Sequence, residues 1–289
     1  MAHTVNIVNA FVDEGRGGNP AGVVLDADAL TPADKLRIAG LVGLSETAFV
    51  SRSQVAGIKL EFFTPSRQIA HCGHATIATF AFLAQHGRVS GPETSKETID
   101  GIRRIVLRGE AAYMEQLAPT YLDEADFPPG VSGNRILASL GLSPARAASR
   151  PCVVGTGNRF VLVQVHSEAQ LAALAPSMGE IAAISEAFGA IGFYVFALTD
   201  GEFAASARMF GPAYGIAEEA ATGMAAGPLA CWLYDRAGLR RQDFLIRQGA
   251  YMDPPSPSRI AVELKLGDGR IAGLFAGGTA KVASTVTVM

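Results

Sequence analysis

The chain has 289 residues, of which 49% are hydrophobic and 18% are charged, and its formal net charge is −3. These proportions are typical of a folded globular protein and exclude a largely disordered one. The length suits two domains of about 140 residues each, both large enough for a core of their own. No run of basic residues is present, so the sequence offers no electrostatic basis for binding nucleic acid.

Cysteine usage and the N-terminal sequence bear on the cellular compartment. The three cysteines are odd in number and far apart, which argues against a disulfide framework and for a reducing compartment. The N-terminus has no cationic flank followed by an apolar core, and no stretch is long and apolar enough to span a membrane. We therefore expect a cytoplasmic protein without a membrane partner.

The start of the chain predicts two strands, a glycine-rich loop and a helix. Residues 5–12 and 21–25 are β-branched and apolar, as in strands, and the loop between them ends near Asn19. The glycine spacing in this loop fits neither the dinucleotide fingerprint nor a P-loop, so turn formation is the favoured interpretation. A helix is predicted over 28–41, with Thr31 as its N-cap.

Glu46 is the only carboxylate between Asp34 and Glu61, and an apolar strand follows it. A carboxylate that is partly enclosed by apolar walls has its charged form disfavoured and its pKa raised, which suits a general acid or base. A solvated glutamate at the start of a strand is an equally good interpretation of the sequence.

The stretch from His71 to Thr76 opens an apolar run over 75–85 that has no polar face. Such a run predicts a buried helix, and it is too short to span a bilayer. Gly73 lets a ligand approach the backbone, and the free N–H groups and positive dipole end of a helix start favour a carboxylate or phosphate. This helix start is predicted to form half of an active site.

The side chains around Gly73 allow several interpretations. His71, Cys72 and His74 suggest a metal site, but no fourth ligand is evident, so neither a metal nor a cofactor is predicted. Cys72 before a helix N-terminus could be a thiolate of lowered pKa, although a packed, unreactive thiol is favoured. For His74, a catalytic or substrate-binding role and a satisfied buried histidine both stay open.

Later parts of the chain predict a hairpin and a crossing between domains. The hairpin covers 103–116, and the acidic, proline-bearing stretch at 118–130 is expected to carry the crossing. The predicted domains are 1–118 and 119–289, and the last strand, about 279–289, can return to the N-terminal half. Further helices are predicted over 134–140 and 168–175, and strands over 150–154, 159–165, 191–198, 203–210, 260–265 and 281–288.

Two stretches of the chain are related by a nearly constant spacing. Thr222, Gly223 and Met224 open a second short apolar run at 225–234, and Gly223 lies 150 positions after Gly73 (223 − 73). Other matched pairs keep the same order: Phe82 with Trp232, Pro65 with Pro212, and Asn19 with Asn158. An ordered register over half the chain predicts an internal duplication of a large unit.

Two carboxylates approach the second helix start in sequence. Glu219 is a candidate for proton transfer, whereas Glu218 is interpreted as a solvated neighbour. If this helix begins at Ala225, Pro228 falls in its first turn, where the missing N–H is not needed.

Two glycine-opened helix starts that face each other across a domain cleft would enclose one anionic group, and a substrate carboxylate suits them. Backbone N–H donors also stabilise the enolate-like charge that forms when a neighbouring carbon loses its proton. The leading hypothesis is therefore an isomerase that transfers a proton at carbon, with Glu46 as the base. The alternatives are a racemase, epimerase or dehydratase that uses Cys72 with Thr222 or Glu219, and a binding protein that has lost turnover.

Four motifs, in order over nearly the whole chain, resemble those of the PhzF-like family of phenazine biosynthesis, which has the diaminopimelate epimerase fold. They are GNPAGV from Gly18, LSETAF from Leu44, CGHAT from Cys72 and EAATG from Glu219. The resemblance implies an α+β protein of two pseudo-symmetric domains, each a curved, mostly antiparallel sheet wrapped around a buried central helix. It also implies that the protein forms a homodimer, as members of the family often do.

The same resemblance implies roles for individual residues. Glu46 would move a proton between carbons of trans-2,3-dihydro-3-hydroxyanthranilate. His74 and Glu219 would assist, and Gly73 and Gly223 would hold the carboxylate of the substrate. Further substrate contacts are expected from Asn19, Cys72, Thr222 and Met224.

The chain departs from the family pattern at two positions. The family usually has Asp where Glu219 stands and Ser where Met224 stands. Glutamate reaches one methylene further, and methionine removes a hydroxyl donor whose hydrogen bond to a charged group is worth roughly 1.5–3 kcal/mol. The resemblance therefore leaves the natural substrate open.

Overall fold

The computed structural model describes residues 2–89 and 91–289 and has the predicted α+β architecture. The helices are α1 (Pro32–Val42), α2 (Gly73–Gln85), α3 (Gly133–Ser139), α4 (Glu168–Ala172), α5 (Met178–Phe188) and α6 (Gly223–Asp235). The strands are β1 (His3–Ala10), β2 (Asn19–Val24), β3 (Thr47–Ser51), β4 (Ile58–Phe63), β5 (Gln68–Ile69), β6 (Glu93–Thr98), β7 (Gly101–Arg108), β8 (Ala111–Leu117), β9 (Thr120–Leu122), β10 (Cys152–Gly155), β11 (Arg159–Val165), β12 (Gly192–Leu198), β13 (Ala205–Gly211), β14 (Ile216–Glu219), β15 (Asp243–Gln248), β16 (Ser258–Gly267) and β17 (Arg270–Val288).

The chain divides into two compact units. Unit 1 comprises Met1–Glu115 and Gly277–Met289, and unit 2 comprises Gln116–Ala276. In unit 1 the β2–β3 and β4–β6 pairs are parallel, whereas β1–β2, β3–β4, β6–β7 and β7–β8 are antiparallel. In unit 2 the β11–β12 and β13–β15 pairs are parallel, whereas β10–β11, β12–β13 and β15–β16 are antiparallel. The same alternation in both units fits the duplication that the motif spacing predicts.

Each unit buries one 13-residue helix that begins at a glycine. In unit 1, α2 packs against β1, β2, β3 and β7, and its residues 73–83 are all buried. In unit 2, α6 packs against β10, β11 and β16. A helix that is apolar all round has no face that gains from contact with water, which explains this burial. None of the helices in the described part of the chain is long and apolar enough to cross a membrane.

Helix α1 is capped as the sequence predicts, although it begins at Pro32 rather than at residue 28. The Thr31 hydroxyl accepts a hydrogen bond from the N–H of Asp34, and the Asp34 carboxylate accepts one from the N–H of Thr31, each at 3.2 Å. This capping box satisfies two N–H groups of the first turn. The predicted residues before it form a short 3-10 turn, Ala27–Ala29.

The observed elements also differ from the predicted ones at several further places. Helix α6 begins at Gly223 and not at Ala225, so Pro228 lies inside the helix rather than in its first turn. The proline ring removes the N–H that would otherwise bond the carbonyl of Met224. Helix α5 and the strands β6 and β15 were not predicted, and both of these strands carry side chains that reach the helix starts described below.

Candidate active site

Glu46 lies immediately before β3 and is only 8% exposed. Its carbonyl accepts a hydrogen bond from the N–H of Gly22 at 3.0 Å, where β2 and β3 run parallel. A Cβ at Gly22 would come within 2.7 Å of the Thr47 hydroxyl, so this close approach of the two strands requires glycine. The structure thus holds Glu46 at a buried strand start, and not as a solvated residue.

Three side chains of unit 1 form a line at the start of α2. The Cys72 sulfur lies 3.6 Å from Nδ1 of His74, and Nε2 of His74 lies 3.3 Å from Oε2 of Glu46. All three side chains are buried. The imidazole therefore stands between the thiol and the carboxylate and turns one ring nitrogen toward each.

The burial of Cys72 affects which groups in this line carry a proton. The pKa of the Cys72 thiol is raised, because a thiolate in this position would lose its hydration. With a protonated thiol donating to Nδ1, a neutral imidazole carries its proton on Nε2, which faces the Glu46 carboxylate. An N–H donor beside a carboxylate suits the transfer of a proton to and from Glu46. The interpretation of Cys72 as a thiolate of lowered pKa does not fit this environment.

The N-terminus of α2 supplies backbone donors next to the same line. Cys72 is the N-cap residue, and its side chain makes no capping hydrogen bond. Gly73 and His74 are the first two helical residues, so the helix itself offers their N–H groups no acceptor. N–H groups in this position, together with the helix dipole, suit a ligand carboxylate.

Glu46, Cys72 and His74 are also close enough to be considered as metal ligands, since their ligand atoms lie within 4.8 Å of one another. The two contacts of His74, however, use different ring nitrogens. A single ion takes only one ring nitrogen of a histidine, so one of these two contacts would be lost. The observed line fits proton transfer better than metal binding.

A second cluster lies at the start of α6 in unit 2. The Thr222 hydroxyl donates a short hydrogen bond to the Glu219 carboxylate. Gln248 accepts from the N–H of Thr222 at 3.1 Å, and it donates to the Thr222 hydroxyl at 3.1 Å and to the Glu219 carbonyl at 2.6 Å. The hydroxyl of Tyr194 donates to the same Gln248 side chain at 2.9 Å. Gln248 therefore fixes Glu219 and Thr222, and no local pattern in the sequence marks it.

The first residues of α6 have side-chain amides as neighbours. The Asn158 amide lies 3.2 Å from the Met224 sulfur, and the Gln116 amide donates to the Gly223 carbonyl at 3.0 Å. Because a thioether is only a weak acceptor and cannot donate, Met224 offers a ligand little beyond apolar surface. Asn19, the repeat partner of Asn158, is buried at the start of β2.

Glu218 is not the solvated neighbour that the sequence suggests. Its carboxylate accepts two hydrogen bonds from Arg208, at 2.8 and 2.7 Å, and the two side chains are 15% and 10% exposed. Arg208 also donates to the carbonyl of Leu171 at 3.2 Å. A bidentate guanidinium supplies the hydrogen bonds that water would otherwise give to a carboxylate, which explains the difference.

Comparison with known proteins identifies the family. The model of the phenazine biosynthesis-like protein family (PhzC-PhzF) matches residues 8–285. A trans-2,3-dihydro-3-hydroxyanthranilate isomerase of Pseudomonas aeruginosa is 33% identical over 267 residues, which cover 88% of this chain and 88% of that protein. An uncharacterized isomerase of Deinococcus radiodurans is 34% identical over 296 residues, which cover 95% of this chain and 91% of that protein.

Solved structures agree with the fold. A phenazine biosynthesis protein of the PhzF family from Bacillus anthracis is similar with a TM-score of 0.89 and 26% identity, over 100% of this chain and 99% of that one. A hydroxyproline epimerase from Agrobacterium vitis shares the fold with a TM-score of 0.62 and 15% identity, over 99% of this chain and 91% of that one. The protein is thus a member of the phenazine biosynthesis-like family of isomerases, with an epimerase-type α+β fold.

Proposed function

We propose that this protein is a cofactor-independent isomerase that moves a proton between carbons near the carboxylate of a small substrate, with Glu46 as the acid and base. The observation that carries the proposal is the line from Cys72 through His74 to Glu46, next to the first amides of α2. It combines a buried proton acceptor with a place for a carboxylate inside one unit. The names of the curated relatives support the reaction class.

The proposed reaction needs two proton transfers and no change in the number of electrons. The Glu46 side chain removes a proton from a carbon near the bound carboxylate, and the electron pair of the broken C–H bond enters the adjoining π system. Amides of the helix start stabilise the negative charge that develops there. Glu46 then returns the proton to another carbon of that system, and Nε2–H of His74 keeps the carboxylate of Glu46 oriented before and after each transfer.

The roles that the family resemblance implies for Glu219 and Gly223 are also proposed. The Thr222 hydroxyl holds the Glu219 carboxylate, and Gln248 holds the Glu219 backbone carbonyl. We propose that Glu219 assists proton transfer and that the amide of Gly223 binds substrate. Homodimer formation and a cytoplasmic location stay predictions from the family resemblance and the composition.

The substrate class is a small carboxylate that carries an acidic C–H bond. Trans-2,3-dihydro-3-hydroxyanthranilate, from the name of the Pseudomonas relative, is the first compound to test. Because Met224 cannot donate a hydrogen bond, we expect this compound to bind less tightly than a substrate with an apolar group at that place.

A racemase or dehydratase that uses Cys72 as its base is the second candidate. The same buried position that raises the pKa of the thiol speaks against it, because a neutral thiol is a poor base. The two candidates differ in the residue whose loss abolishes turnover.

The test is turnover of a panel of small cyclic and amino carboxylates, including trans-2,3-dihydro-3-hydroxyanthranilate, by the wild type and three variants. Glu46→Gln should lower turnover by about 10²–10⁴-fold while binding, measured by thermal shift, stays within a few-fold. Cys72→Ala should keep most of the turnover. Glu61→Gln is the matched control, because Glu61 is a partly buried carboxylate paired with Lys35 rather than His74.

Each alternative has its own outcome. Turnover that survives Glu46→Gln but is lost in Cys72→Ala would replace the proposal with the thiol-based reaction. Ligands that bind to the wild type without any of them being converted would favour the binding protein.

A further inference from the structure

Lys96 is a completely buried lysine on β6, with no exposed surface. Its Nζ donates to the Thr76 hydroxyl at 2.8 Å and lies 3.2 Å from Nδ1 of His71 and 5.3 Å from the centre of the Phe62 ring. Within residues 2–89 and 91–289 it makes no ion pair with a carboxylate. A buried charge without a counter-charge is expensive, so its position calls for a reason.

The amine of Lys96 is connected to the start of α2. Thr76, which accepts from Lys96, donates from its hydroxyl to the carbonyl of Cys72 at 2.6 Å. Cys72 is the N-cap, and Thr76 lies in the first turn of the helix. The amine therefore lies behind the same helix start whose amides are proposed to bind the substrate carboxylate.

A cation at this end of a helix adds to the positive end of the helix dipole instead of offsetting it. The other charged or titratable neighbours do not balance it. Burial and the charge of Lys96 lower the pKa of His71 to about 3, so His71 is neutral, and Arg103 adds a further positive charge. Cys72 is a protonated thiol, and Asp100 is the one acidic side chain that favours the ammonium among the described neighbours that act on it.

We infer that Lys96 is a positioning residue whose ammonium, held by Thr76 at the start of helix α2, serves as the counter-charge of the substrate carboxylate. The inference rests on the proposed function, because it takes the same carboxylate as its ligand. Burial lowers the pKa of Lys96 to about 7, so part of the free protein has a neutral amine at neutral pH and above. A bound carboxylate favours the ammonium, and binding therefore takes up a proton from solution.

The sign of the pH dependence follows from this coupling. Below pH 7 the amine of the free protein is already charged, so ligand binding takes up few protons from solution. At pH 8 and above most of the free protein has to gain a proton on binding, so affinity for an anion falls by up to about tenfold per pH unit. His71 is neutral over this whole range and does not contribute.

The experiment is isothermal titration calorimetry with 3-hydroxyanthranilate, an aromatic carboxylate of the size of the proposed substrate. Titrations at pH 6 and pH 8, each in two buffers of different ionisation enthalpy, give the number of protons taken up. We expect uptake in the wild type that is small at pH 6 and approaches one proton at pH 8. Lys96→Met should abolish the uptake at pH 8 and weaken binding at pH 6 by about tenfold or more.

Two controls separate charge from packing. Thr76→Val removes the hydroxyl but keeps the amine, so it should retain proton uptake. 2-Aminophenol has the same ring without the carboxylate, and Lys96→Met should not weaken its binding. A general disturbance of the site would weaken both ligands alike.

The inference is overturned if Lys96→Met binds 3-hydroxyanthranilate with wild-type affinity or uptake, or if the wild type does not bind it. Should Lys96→Met fail to fold, the wild type alone still decides, because uptake that does not increase from pH 6 to pH 8 contradicts the coupling. Glu46→Gln should show the same uptake as the wild type. Lys96-dependent uptake in a protein without turnover would therefore refute the proposed reaction and leave the inference standing.

Discussion

Replacing Lys96 by methionine should change how the stability of the protein depends on pH. The lysine is buried, its pKa is lowered from 10.5 to about 7, and its amine has only neutral partners in Thr76 and His71. In the unfolded chain the amine holds its proton up to about pH 10. Between these values the unfolded state binds more protons than the folded state, so stability rises with pH.

The size of the effect follows from the shift. A fall from 10.5 to about 7 corresponds to a cost of about 5 kcal/mol, which applies fully below pH 7 and disappears near pH 10.5. Between pH 6 and pH 9 this cost falls by about 2.5 kcal/mol, and the wild-type free energy of unfolding rises by the same amount. Methionine fills a similar volume without a titratable group, so Lys96→Met loses this contribution to the pH dependence.

The assay is urea unfolding of both proteins at pH 6, 7, 8 and 9. Lys96→Met should be the more stable protein at pH 6, and its advantage should shrink by about 2.5 kcal/mol toward pH 9. Lys35→Met is the matched control, because Lys35 is also buried but has Glu61 as its ionic partner. Its loss should destabilise the protein by roughly 3 kcal/mol. Parallel curves for the wild type and Lys96→Met would refute the reasoning.

Two further substitutions test the supports of the unit 2 cluster. Gly249→Ala should destabilise by roughly 3 kcal/mol or more in urea unfolding, since its Cβ would lie 2.1 Å from the Ser256 carbonyl oxygen at a φ of +75°; a change below about 0.5 kcal/mol would contradict this. Arg208→Leu should cost about 3–5 kcal/mol because Glu218 loses both of its hydrogen bonds. Adding Glu218→Leu to it should restore part of that loss in thermal unfolding, and a further decrease would contradict the assignment.

Local sequence signals predict the elements that form from neighbouring residues. The cap at Thr31 and the hairpin between β7 and β8 follow from short-range patterns, and both are observed. The all-round apolar run after Gly73 predicts a buried helix correctly, because burial on every side leaves no polar face in the sequence. The repeat spacing identifies its partner at Gly223, although the helix begins two residues before the predicted Ala225.

The missed elements depend on distant parts of the chain or on a weak pattern. Strand β6 reads Glu-Thr-Ser-Lys-Glu-Thr, which resembles a loop, although it pairs antiparallel with the following β7 and in parallel with β4, some 35 residues earlier. The polar sequence around Lys96 therefore does not predict that this lysine is buried. Strand β15, which carries Gln248, pairs in parallel with β13 in the same way. The sequence does contain a helical pattern for α5, since Ile181, Ile184 and Phe188 repeat at helical spacing.

The candidate site also combines residues that the local sequence predicts with an arrangement that depends on the fold. Residue type and a place before an apolar element mark Glu46, Cys72 and His74 in the sequence, and their side chains lie together at the start of α2. The order of these side chains, with the imidazole in the middle, is a property of the fold that no spacing in the sequence contains.

The role of Glu46 is tested most directly by deuterium from heavy water. The wild type, incubated with a converted carboxylate in heavy water, should introduce deuterium at the carbon that loses or gains the proton, as mass spectrometry and NMR can show. Glu46→Gln should bind the same compound within a few-fold and introduce none, while Glu61→Gln should behave as the wild type. Deuterium incorporation by Glu46→Gln at the wild-type rate would contradict Glu46 as the base.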